Sequence, residues 1–242
     1  MQNAGAVLGF KSSADPSPPD SRLAADTFAL IIQTQYQREV FKKDRHSFAS
    51  IDTTHNTTHY ENMSLFTVIV RDQWGHGECS LSCLVRSIVL MQIPGFPAAW
   101  MVSSNATEVT IDFFLACLRK QNLNVIPKKF MSDQDSAQMN AIQHQYIESQ
   151  LFLCWWHVLH SWQQHLIISH YPALWDLLKK WVRVEEDDEF EVYWTKIKLL
   201  APQSFIEYIE TYWLPVKALW SAVAWKNQMV FELCNMNMLV EV

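Results

Sequence analysis

Phe130-Met131-Ser132-Asp133 runs apolar into a carboxylate, and Gln134-Asp135-Ser136 then turns the chain into a helix-like segment from Ala137 to Ile147. A strand that passes directly into a helix presents the residue at the turn along the edge of a sheet, where ligands bind. Phe48-Ala49-Ser50-Ile51-Asp52 is a second apolar stretch ending on aspartate, and Asn237-Met238-Leu239-Val240-Glu241 brings a third acid close to the last residue. We read Asp52, Asp133 and Glu241 as a metal-binding carboxylate triad. Converging strand-end carboxylates can hold two Mg²⁺ ions about 3.5–4 Å apart, and Mg²⁺ favours carboxylates that leave positions open to water. The competing reading is that an aspartate after a strand is a turn or cap residue and a terminal glutamate is solvated. Asp72, Glu108, Asp112 and Asp135 are rival acids.

The chain has 242 residues, 49% of them hydrophobic and 18% charged. It is long enough for one large domain with a sizeable insertion and apolar enough to bury a core. Its net charge of −6 argues against a self-sufficient nucleic-acid binder, which normally presents a basic face. The five cysteines (Cys79, Cys83, Cys117, Cys154 and Cys234) suggest no disulfide framework, which fits a reducing compartment. No stretch reaches the ~18–20 apolar residues of a membrane span, and no membrane partner is expected.

Along the chain, residues 1–25 read as a flexible flank rich in Ser, Pro, Asp and Ala. Residues 26–153 read as the first part of an α/β core. There the stretch Asp26 to Val40 is ambiguous between a strand and a short helix. Phe48–Asp52, Leu65–Val70 and Ala98–Ser103 form an antiparallel meander. A helix over Thr107–Lys120 is capped by Thr107, a fourth strand spans Ile126–Met131, a helix over Ser136–Ile147 is capped by Ser136, and a short strand runs from Leu151 to Leu153. Residues 78–96 form an atypical, mostly apolar insert between two strands. From residue 154 to about 225 the period becomes helical, with aromatic and Leu stripes that imply a small bundle. Residues 226–242 read as a truncated return to the core. The eleven tryptophans, most of them after residue 150, are expected to be core rather than base-stacking platforms.

Cys154-Trp155-Trp156-His157 puts Cys154 and His157 three apart, on one helical face. The alternatives are a structural pair or two ligands of a zinc ion. Zinc needs about four ligands, so spacing favours a buried cysteine and a hydrogen-bonded histidine.

Several blocks together resemble Mutator-like element transposases of fungal type. Ile51-Asp52-Thr53-Thr54-His55-Asn56-Thr57-Thr58-His59-Tyr60-Glu61-Asn62 is similar to the first catalytic block. Val70-Arg71-Asp72-Gln73-Trp74-Gly75-His76-Gly77 and Ala99-Trp100-Met101-Val102-Ser103-Ser104-Asn105 resemble the strands that follow. Phe130-Met131-Ser132-Asp133-Gln134-Asp135 resembles the second catalytic block, Cys154-Trp155-Trp156-His157-Val158-Leu159 the family's C-x2-H signature, and Asn237-Met238-Leu239-Val240-Glu241 the block of the last acid.

The resemblance implies a ribonuclease-H-like mixed sheet with an all-helical insertion before the last acidic residue. It makes Asp52, Asp133 and Glu241 a DDE triad binding two Mg²⁺ or Mn²⁺ ions. The implied activity is a Mg-dependent transposase that cleaves DNA at transposon ends and joins the freed 3′-hydroxyl to target DNA. The implied partners are those DNAs, with a homo-oligomer as the candidate assembly of an active full-length form and a nuclear location following from the substrate.

Two features depart from the family. Residues 78–96 fit none of its blocks and read as an insertion of intron origin, and the chain ends one residue after Glu241. The expectation is therefore a truncated transposase whose activity is in question. The alternative is a domesticated DNA- or protein-binding module that keeps the fold without catalysis.

Overall fold

The structure, a computed structural model, describes residues 5–18, 21–43, 48–55, 63–70 and 96–225. The chain divides into two compact units, Met1–Leu151 and Phe152–Val242.

The described elements begin with β1 (Val7–Lys11), β2 (Ala29–Ile32), α1 (Gln35–Lys43), β3 (Phe48–His55), β4 (Ser64–Val70) and β5 (Phe96–Ser103). There follow α2 (Glu108–Gln121), β6 (Lys129–Ser132), α3 (Ser136–Gln145) and β7 (Gln150–Leu153). The strands form one mixed sheet in the order β1-β2-β5-β4-β3-β6-β7. β3, β4 and β5 are the expected antiparallel meander, and β6 joins β3 in parallel. A parallel partner needs a crossover, which the chain makes through α2. The molecule is thus an α/β protein built on a seven-stranded mixed sheet.

One face of this sheet builds the core of the first unit. Ile31, Ile51, Phe66, Val68, Met101 and Phe130 pack with Phe114, Leu115 and Leu118 of α2 and with Ala141 and Ile142 of α3, all nearly solvent-free. Burying each large apolar side chain contributes roughly 1.5–3 kcal/mol. Thr107 caps α2 as expected, its hydroxyl accepting from the Thr110 N–H. Acids of α2 tie the two helices together. Glu108 accepts from Asn140, and Asp112 meets His144 at 2.6 Å and Gln145 at 2.8 Å.

The structure corrects several sequence expectations. Residues 7–11 belong to no flexible flank: they form β1, paired antiparallel with β2. Gly9 sits in that strand because a Cβ there would stand 3.0 Å from Cys117 Sγ and 3.1 Å from Ile31 Cδ1, so a bare backbone permits the close packing. The ambiguous stretch after Asp26 is both a strand and a helix. The Thr34 hydroxyl accepts from the Gln37 N–H at 3.2 Å while Gln37 Oε1 accepts from the Thr34 N–H at 2.7 Å, a reciprocal cap that starts α1. Phe96, expected as the last insert residue, opens β5 opposite Val70; residues 78–95 of the insert lie outside the described residues. The cap of α3 is Asp135, not Ser136.

The described part of the second unit, past Leu153, is helical, as the change of period indicates. It comprises α4 (Trp155–Gln164), α5 (Pro172–Trp181), α6 (Asp187–Leu200), α7 (Gln203–Tyr208) and α8 (Lys217–Trp220), with a π-helical turn over Ile209–Trp213 and short 3-10 turns. Tryptophans are its core. Trp181 stacks on Trp194 with ring centres 5.1 Å apart, and Trp162 meets Trp213 edge-on at 5.6 Å. Three of the buried indoles donate to backbone carbonyls, Trp155 to Trp220 O, Trp181 to Phe190 O and Trp220 to Trp213 O. Neither Cys117 nor Cys154 forms a disulfide. No helix among the described residues is long and apolar enough to cross a membrane.

Candidate metal centre

β3 and β6 lie side by side in parallel, with Phe48 opposite Lys129, Ala49 opposite Phe130 and Ser50 opposite Met131. Each pair is 81 positions apart, and so are Asp52 and Asp133. Extending the register two residues past its last pair therefore sets the aspartates next to each other. Parallel partners in register point to the same side of a sheet. Ala49, Ile51 and Phe130 face the helices of the core, so alternation sends Ser50, Met131 and both aspartates to the opposite face. On its other side Asp52 is opposite Thr67 of β4, which fixes the backbone that carries it.

Both aspartates are half-buried. One carboxylate oxygen of each and a ring nitrogen of His157, in the first turn of α4, all lie within 4.8 Å of one another. This Asp52, Asp133, His157 group is able to hold a metal ion. Two ionised carboxylates so close repel, and a divalent cation between them turns that repulsion into attraction. The donor set, two hard oxygens and one imidazole, suits a divalent ion that takes both ligand types.

The remaining site expectations separate. Glu241 lies outside the described residues, as does the rival acid Asp72. Cys154 is buried at the N-cap of α4, and among the described residues no group of three or more metal-ligating side chains includes it. His157 is grouped with the aspartates. Sequence spacing pointed to the histidine but not to its companions, which arrive from residues 105 and 24 positions earlier in the chain. Asp135, Glu108 and Asp112 are engaged in helix capping and in joining α2 to α3.

Fold and candidate ligands together define an α/β protein with a candidate metal centre on two parallel strands: Asp52 lies within β3, which runs on to His55, and Asp133 directly follows β6. No protein-family model matches the chain, and no curated protein matches it significantly.

Proposed function

We propose that the chain is a DDE-type transposase catalytic domain of the Mutator-like class, acting by metal-assisted DNA strand cleavage and strand transfer. The observation that carries this reading is the shared offset of 81, which brings Asp52 and Asp133 together on one face of the sheet. The strand order β5-β4-β3-β6-β7, antiparallel from β5 to β3 and parallel between β3 and β6, is the order expected of a ribonuclease-H-like core. A helical block follows Asp133, as expected for an insertion before a last acid.

In this reading Asp52 and Asp133 hold the ions, His157 adds an imidazole donor, and Glu241 is the third acid. Bound Mg²⁺ or Mn²⁺ ions supply an activated oxygen nucleophile and charge compensation at the leaving oxygen. The chain needs no nucleophilic side chain, because water and then a DNA 3′-hydroxyl attack the phosphorus. The protein's task is to fix the carboxylates and align the strand. The net charge of −6 opposes binding to a polyanion, so in this reading high-affinity DNA binding lies outside these residues, in a longer protein. A nuclear location and a homo-oligomeric assembly on transposon ends complete the proposal.

The test is Mn²⁺-dependent nicking of supercoiled plasmid DNA and joining of a 3′-hydroxyl oligonucleotide. Activity in the parent, lost in both Asp52→Asn and Asp133→Asn, is expected. Nicking that persists in both variants contradicts the assignment. Metal binding without any cleavage favours a DNA- or protein-binding module that has kept the fold.

A further inference from the structure

The parallel ladder between β3 and β6 stops at Ser50 and Met131, two residues short of both aspartates. Beyond that point another link ties the two acid-bearing segments. Gln138, in the first turn of α3, is 3% exposed, and its side-chain amide donates to Thr53 Oγ1 at 3.1 Å. Thr53 directly follows Asp52. The Gln138 backbone N–H donates at 3.0 Å to the Asp135 carboxylate, two residues beyond Asp133. One residue therefore grips the segment after Asp133 through its backbone and the segment after Asp52 through its side chain. A buried amide nitrogen costs stability unless it is bonded, and the Thr53 hydroxyl satisfies Nε2, while Oε1 has no hydrogen-bond partner among the described residues; the Thr53 contact is therefore the bond that fixes this side chain.

We infer that Gln138 is a positioning residue for the metal centre: with Thr53 it sets the separation of the Asp52 and Asp133 carboxylates where the backbone ladder no longer does. The inference rests on the metal-centre reading of these aspartates. Because β4 holds Asp52 from the other side, loosening the clamp lets the Asp133 turn and the start of α3 drift. A divalent ion needs its ligands held within a fraction of an ångström, so the drift weakens binding before it unfolds the domain.

The experiment is Mn²⁺ calorimetry on the parent and on Gln138→Met, Thr53→Val, the double variant and Thr53→Ser, with thermal unfolding of each metal-free protein. Gln138→Met and Thr53→Val keep size and lose the bond. Each is expected to weaken Mn²⁺ binding about tenfold, the double variant no more than either single, and Thr53→Ser to restore affinity through its hydroxyl. A merely structural contact lowers the unfolding temperature and leaves Mn²⁺ affinity within about twofold of the parent, and that result overturns the inference. So does full additivity in the double variant. If Gln138→Met fails to fold, Thr53→Val and Thr53→Ser decide the question by the same criteria. A folded parent that binds no Mn²⁺ overturns the metal-centre reading itself and this inference with it, whereas a binding parent with unaffected variants overturns the inference alone.

Discussion

Cys154 and His157 stand three apart at the head of α4, and local spacing suggests that they share one task. The structure adds other companions for the histidine. Cys154 is buried at the helix cap, and His157 joins the two aspartates in a group of ligand atoms within 4.8 Å. The sequence singled out His157 because helical spacing is local information. It did not offer the aspartates as companions because pairing across the fold is not. The difference is measurable: His157→Ala is expected to weaken Mn²⁺ binding by about tenfold or more, and Cys154→Ser to leave it within about twofold, both read by calorimetry. Loss of binding in Cys154→Ser with retention in His157→Ala would return the cysteine to the site.

Among the elements, those with strong periodic or β-branched signals were legible. β4, with its Val-Ile-Val ending, and α2, with its Thr107 cap, form where the sequence indicates. β1 was not legible. Val7-Leu8-Gly9-Phe10-Lys11 is interrupted by a glycine, lies near Ser- and Pro-rich sequence, and becomes a strand only because β2 offers an edge. The start of α1 had a readable signature, Thr34 followed three residues later by Gln37, whose reciprocal hydrogen bonds end the strand-or-helix ambiguity. At α3 two adjacent residues could cap, and the carboxylate of Asp135 takes the Gln138 N–H. Asp135→Ala is therefore expected to destabilise the protein by about 1 kcal/mol, and Ser136→Ala by less than about 0.5 kcal/mol, in urea unfolding. The reverse order would mean that Ser136 carries the cap.

For the whole molecule, the broad plan was legible: an α/β part first, a helical block from residue 154, and tryptophans as core of that block. The apolar lead-in to Asp133 marked it as a strand-end acid, and β6 does stop just before it; Asp52, also read as the end of its strand, instead lies within β3, because pairing with β4 carries that strand on to His55. That they meet was not a property of either stretch. It follows from the β3–β6 register, whose offset equals their spacing and is set by sheet pairing over a long crossover. Glu241 lies outside the described residues, so the site rests on the two aspartates and His157. The most direct measurement is Mn²⁺ calorimetry on the parent, Asp52→Asn and Asp133→Asn, each first shown to be folded. Binding by the parent that is lost in both variants is the expected result, because two carboxylates that share one ion cannot substitute for each other. Binding retained in either variant, or absent from the folded parent, would contradict a metal centre built on this pair.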